Sequence, residues 1–211
     1  MASIFDLFKK IERKEKAPSG PPEYIIVGLG NPGLEYANTR HNAGFIAIDR
    51  MTEKLGAECK TLKFKSMICF AEIKEKKVLI MKPQTYMNLS GEAVGEAAEF
   101  YKIPPDRIIV FCDDVNFDTG VMRIREKGSD AGQRGIRNIT EHLGTDAFPR
   151  VRIGVGKKPH PDYDLKDWVL GKPLGEDLEN MMKCADCSLD ICELFITGKL
   201  GDAMSKYNCK R

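Results

Sequence analysis

From Ile108 to Cys112 the chain reads Ile-Ile-Val-Phe-Cys, with no polar residue to break the run. A half-exposed strand alternates apolar and polar side chains. A continuous run of this kind suits a strand buried on both faces, as in a parallel sheet covered by helices on each side. The segment Arg107–Cys112 therefore constrains the fold more than any other. The rest of the chain must supply further strands and two layers of helix.

Those elements are legible. Tyr24–Val27 is a short β-branched run ending in glycines. Met67–Ile73 and Val78–Met81 read as strands around a charged turn at Lys74–Lys77, and Val151–Val155 as another. Val121–Arg125 alternates apolar and basic residues and predicts a half-exposed strand. Helices are expected at Ala43–Leu55, Ser90–Tyr101 (stopped before Pro104), Gln133–Leu143, and Glu176–Ile196, which ends at Gly198. Strands alternating with helices imply an α/β fold. The expectation is one three-layer sandwich over residues 23–211, with a twisted, mixed, largely parallel sheet and helices on both faces. A length of 211 residues suffices for one such core. Before it, Ile4, Phe5, Leu7, Phe8 and Ile11 recur at helical spacing. Ala17-Pro-Ser-Gly-Pro-Pro22 follows, so residues 1–22 read as an amphipathic extension and linker.

A net charge of +2 gives no global reason to bind nucleic acid. Locally, nine basic residues face four acids between Gly120 and His160, a patch able to attract phosphates. Met1–Lys16 is too charged for a signal peptide. No apolar run approaches ~18 residues. An odd count of seven Cys fits reduced thiols. A cytoplasmic protein without a membrane segment is expected. Cys184, Cys187 and Cys192 fall in a helical pattern and read as small buried hydrophobes, with no second pair to complete a zinc site.

Three polar motifs follow strands and can converge on one rim of the sheet. Gly28-Leu-Gly-Asn-Pro-Gly33 matches GxGxxG, with Asp49 near the offset of a ribose-binding acid. Yet the chain stays irregular to about residue 42, whereas a dinucleotide site needs its helix to start within the glycine loop. This loop is better read as presenting Asn31, with His41 ten residues on. Lys82-Pro-Gln-Thr-Tyr-Met-Asn-Leu-Ser-Gly91 supplies Asn88, and Cys112-Asp113-Asp114 supplies a carboxylate. No Ser or Cys sits in a nucleophile elbow, and no His pair has metal-ligand spacing. One imidazole, one carboxylate and two amides fit water activated by His41, with Asp113 orienting the imidazole, acting on an ester.

Val27-Gly-Leu-Gly-Asn-Pro-Gly33, Tyr36…Thr39-Arg-His-Asn-Ala-Gly44, Lys82-Pro…Thr85-Tyr-Met-Asn-Leu-Ser-Gly91, Asp113-Asp114, Arg150-Val-Arg-Ile-Gly-Val-Gly156 and Trp168-Val-Leu-Gly-Lys-Pro173 occur in order. Together they resemble the bacterial-type peptidyl-tRNA hydrolases, from about Tyr24 to the C-terminus. The resemblance implies hydrolysis of the ester joining a peptide to the tRNA 3′ end, without cofactor or metal, by a monomer that meets the 3′ end and acceptor stem. Carried over by position, the catalytic set is His41 as general base, Asp113 as its orienting partner and Asn31. Asn31 and Asn88 look like binders of the peptide's first N–H and C=O, Tyr36 and Tyr86 like stacking platforms for the terminal nucleotides, and Met87 like a pocket wall. Arg123, Arg125 and Arg152 lie where such enzymes grip phosphates.

One loop departs from the family pattern. Gly128-Ser-Asp-Ala-Gly-Gln-Arg-Gly135 carries Gln133 and Arg134 where Gly-Gly-His-Asn-Gly places His and Asn. Gln keeps a donor and an acceptor but cannot titrate; Arg loses the acceptor and adds a charge. Arg134 is expected to contact a phosphate near the 3′ end. Two other readings compete. A non-catalytic RNA-binding relative would bind tRNA without hydrolysis, and a nucleotide-cofactor enzyme would use Gly28–Gly33.

Overall fold

The computed structural model describes residues 20–208. The expected amphipathic extension and residues 17–19 of its linker lie outside them. Seven strands form one sheet: β1 Tyr24–Gly28, β2 Thr61–Lys63, β3 Ser66–Ile73, β4 Lys76–Pro83, β5 Ile108–Asp114, β6 Met122–Arg125 and β7 Arg150–Gly154, in the order β2-β3-β4-β1-β5-β7-β6. The central strands β4-β1-β5-β7 run parallel. β2, β3 and β6 pair antiparallel at the edges. The parallel character is therefore confined to the middle of the sheet.

Among the described residues seven α-helices cover it: α1 Ala43–Leu55, α2 Ser90–Tyr101, α3 Arg134–Leu143, α4 Leu165–Leu170, α5 Gly175–Asp186, α6 Ser188–Ile196 and α7 Leu200–Tyr207. Period-two alternation divides the sheet between two cores. Ile26, Ile80, Ile109, Phe111 and Val151 face α1, α5, α6 and α7. Ile25, Val27, Leu79, Val110 and Cys112 face α2 and α3. Every residue of β5 is buried, as its unbroken apolar run requires. Among the described residues no helix is long and apolar enough to cross a membrane.

The expected helix Glu176–Ile196 is two helices. The backbone turns at Cys187, with φ −82° and ψ −6°, and the Ser188 hydroxyl donates to Ala47 O in α1 at 2.9 Å. That tertiary bond re-aims α6 without interrupting the apolar pattern. Cys184 and Cys192 are buried, as expected for small hydrophobes. Helix α4 forms between the expected strand Val151–Val155 and the expected helix Glu176–Ile196, where no element was assigned, and α7 follows Gly198, where helix was expected to end.

Candidate active site

Because the four central strands are parallel, their carboxyl ends share one rim, where sites in open α/β sheets gather. Asn31 follows β1, a turn over Arg40–Asn42 brings His41 to the start of α1, Met87 and Asn88 lie in a turn after β4, and Asp113 ends β5. Together with Tyr36, Tyr86, Gln133, Arg134, Arg152 and the start of α4 they line one cleft of about 670 Å³.

The glycine motif allows this convergence by close packing. A Cβ on Gly28 would meet Gly44 O at the N-terminus of α1, and one on Gly44 would meet Phe111 O and the Leu29 backbone. The loop then runs through short turns until α1 begins at Ala43. Asp49 lies well inside α1 and pairs with Lys82 at 2.5 Å. These positions are not those of a pyrophosphate loop with a ribose-binding acid.

The loop is cross-braced by amides. Asn31 N–H donates to Asn42 Oδ1 at 2.8 Å, and Asn42 Nδ2 donates to Asn31 O at 3.0 Å. Asn31 Oδ1 accepts from Met87 N–H at 2.9 Å, tying the β1 loop to the β4 turn. That bond fixes the amide so that Nδ2, with no partner among the described residues, is the polar group left to the cleft. Asn88 and Tyr86 are exposed at its mouth, while Met87 is buried as its wall.

His41 Nδ1 lies 2.8 Å from Asp113 Oδ2. A carboxylate only accepts, so Nδ1 carries the proton and Nε2 is the basic nitrogen. Burial pulls the imidazole pKa down, but the Asp113 charge and hydrogen bond outweigh it. Arg134 works against them, and the net position is above that of an ordinary histidine. A base must be neutral to act. If His41 is the base that the sequence leads one to expect, kcat/KM on an ester substrate rises with pH along an acid limb centred above about 6.5. The sign for stability is opposite. Protonated His41 contributes in full below the unfolded pKa, and that contribution is lost as pH rises through the higher folded value.

The basic residues separate into three groups. Arg134 is exposed, lines the cleft and makes no ion pair among the described residues. Arg152 also lines it, but its guanidinium is engaged by Asp114 at 3.2 Å and Ser129 O at 2.6 Å. Arg123 and Arg125 lie on edge strand β6 outside the cleft lining, and Arg123 donates to Asn208 O at 2.5 Å. Arg150, counted in the basic patch, is only 1% exposed and spends its donors on the carbonyls of Gly128, Asp146 and Phe148. The surface patch is thus smaller than the sequence implies.

Two features escaped the sequence. Arg40 stacks on Trp168 at 3.7 Å and donates to Val155 O and Asp177. Its main-chain N–H donates to Gly171 O, so the turn bearing His41 is tied to α4 on both sides. Gln133 links Asp113 to the start of α3. For Arg40 the one available signal was its place next to His41.

The family model described as peptidyl-tRNA hydrolase matches residues 25–211. The peptidyl-tRNA hydrolase of Clostridium novyi (strain NT) is 46% identical over 185 residues, which are 88% of this chain and 97% of that protein. That of Caldicellulosiruptor bescii is 43% identical over 186 residues, again 88% and 97%. Among solved structures, peptidyl-tRNA hydrolase from Acinetobacter baumannii superposes with a TM-score of 0.83 at 35% identity, covering 92% of this chain and 99% of that one.

Proposed function

Since the chain belongs to the peptidyl-tRNA hydrolase family and hydrolyses the ester bond of peptidyl-tRNA, we propose that the cleft receives the tRNA 3′ end and that His41, oriented by Asp113, activates the attacking water. One observation carries this reading: Nδ1 is spent on Asp113 at 2.8 Å, which leaves Nε2 as the base of a ring lining the cleft. Nε2 takes a proton as the water oxygen bonds to the ester carbonyl carbon. The carbon–ribose oxygen bond then breaks, and the imidazolium returns the proton to the leaving hydroxyl.

Asn31 Nδ2 donates to the first peptide carbonyl, and Asn88 supplies an acceptor for the first peptide N–H. A free aminoacyl-tRNA has an ammonium at that place, and a site built for an amide rejects the mismatch. Tyr36 and Tyr86 stack on the terminal nucleotides, where each base is worth ~1–3 kcal/mol. Met87 walls the acyl pocket. Arg152 contributes charge through its exposed edge, and Arg123 and Arg125 contact phosphates farther along the acceptor stem. Residues 23–211 act as the hydrolase domain, as a cytoplasmic monomer.

Arg134 is a cleft-lining cation that makes no ion pair among the described residues and can meet a phosphate. Arg134→Ala is expected to weaken tRNA binding across sequences alike and to reduce the slope of log K against log salt by about 1. The same change removes a charge that holds His41 down, so the acid limb should move to higher pH. Unchanged binding and salt slope would remove Arg134 from the phosphate contacts.

The decisive assay incubates the protein, with chelator present, with N-acetylated aminoacyl-tRNA and separately with the unblocked form. Release from the blocked substrate alone is the expected result. Retention of tRNA with no release would replace this reading by that of an RNA-binding relative.

A further inference from the structure

The carboxylate that orients His41 has a second partner. Gln133 Nε2 donates to Asp113 Oδ1 at 2.8 Å, while Asp113 Oδ2 holds His41 Nδ1 at 2.8 Å. The other end of the same amide is also committed. Gln133 Oε1 accepts from Gly135 N–H at 2.5 Å and from Ile136 N–H at 3.2 Å, capping helix α3. Main-chain N–H groups only donate and a carboxylate only accepts, so the amide has one possible orientation. Its nitrogen lies 3.2 Å from Met87 Sδ, which closes the apolar side.

The loop behind Gln133 is braced. Arg152 donates to Ser129 O at 2.6 Å, Arg137 pairs with Asp130 at 3.1 Å, and Asp130 Oδ1 accepts Gly132 N–H at 2.6 Å. Gly135 lets the amide come close: a Cβ there would lie 2.8 Å from Leu29 Cδ1, 2.9 Å from Met87 Sδ and 3.0 Å from Gln133 Oε1. A rigid helix start is thus joined to the catalytic carboxylate through one side chain.

We infer that Gln133 is a positioning residue for the hydrolysis: by holding Oδ1 of Asp113 it keeps Oδ2 turned to His41, and thereby fixes the tautomer and aim of the His41 base. The inference rests on the hydrolase reading of the cleft. Glutamine suits the task because it supplies acceptor and donor together without changing charge. The charged groups that act on His41 or line the cleft with it are Asp113 from β5, Arg134 from α3, and Asp164 and Lys166 from the α4 segment, with Asp114 paired to Arg152 and Asp130 to Arg137. None of them is a second imidazole, so the acid limb of the rate profile reports a single ionisation.

The test compares Gln133→Glu and Gln133→His with the unaltered protein. Glutamate keeps an oxygen for the α3 N–H groups, and its charge favours a helix N-terminus. It replaces the donor to Asp113 with an acceptor. The expected result is an unchanged melting temperature, a kcat lower by about 10- to 100-fold with KM little altered, and a His41 imidazole that titrates at higher pH by NMR. Histidine can restore the donor, so Gln133→His should recover kcat and add a second ionisation to the acid limb. A Gln133→Glu protein with the kcat and His41 titration of the unaltered chain would overturn the inference, because a pure helix cap predicts that outcome. Absence of release by the unaltered protein would overturn the hydrolase reading instead. The imidazole titration needs no turnover and tests the linkage in either case.

Discussion

His41→Ala is expected to lower kcat on an N-acetylated aminoacyl-tRNA by about 10²- to 10⁴-fold, the range supplied by a positioned general base, while leaving tRNA affinity nearly intact. The imidazole spends one nitrogen on Asp113, and in the proposed mechanism the other activates water, so removing it takes away chemistry and little grip. Single-turnover kinetics alongside filter binding separates the two. Loss of binding in step with activity would make His41 a ligand contact. Asp113→Asn should cost less, because the base remains. Its amide has one acceptor where two donors, His41 Nδ1–H and Gln133 Nε2–H, now each hold an oxygen. One of those bonds must fail, and the ring loses its aim.

The largest effect on stability is expected from Gly44→Ala. The added methyl would sit 2.6 Å from Leu29 O and closer still to Leu29 N and Phe111 O. All three are backbone atoms in the core, and none can swing aside. Overpacking of this kind costs about 3 kcal/mol or more. For a chain of this length, at about 2–4 °C per kcal/mol, thermal unfolding should shift down by about 6–12 °C. Gly201→Ala in α7, where a Cβ meets nothing within 4 Å, is the control and should melt no lower than the parent. Equal melting of the Gly44 variant and the parent would mean that α1 does not approach β1 and β5 as closely as described.

The parts of the fold written in local pattern were legible. Helices Ala43–Leu55 and Ser90–Tyr101 match their expected bounds because Gly56 and Pro104 punctuate them. The run before Asp113 marked the central strand because full burial needs continuous apolarity. What tertiary contacts decide was not legible. Apolar periodicity continues through Cys187, where Ser188 bonding to α1 breaks the helix. Helix α4 is six residues long and owes its seat to the stacking of its Trp168 on Arg40, far away in sequence. Arg150 shows the limit of counting charge, since composition does not separate a surface arginine from one enclosed by carbonyls. Residue chemistry brought His41, Asp113, Asn31 and Asn88 to one cleft. It gave the donor and acceptor of Gln133 but not that both are in use.

The pairing of Arg40 with Trp168 also furnishes an optical probe. The chain has a single tryptophan. That indole lies under the guanidinium next to His41 in sequence, donates to Gly156 O at 2.9 Å and meets the edge of Tyr163. Selectively excited emission therefore comes from one place, the junction between the turn that carries His41 and the helix that walls the cleft. Its intensity and colour will follow that junction during substrate entry and departure, in real time and without any added label.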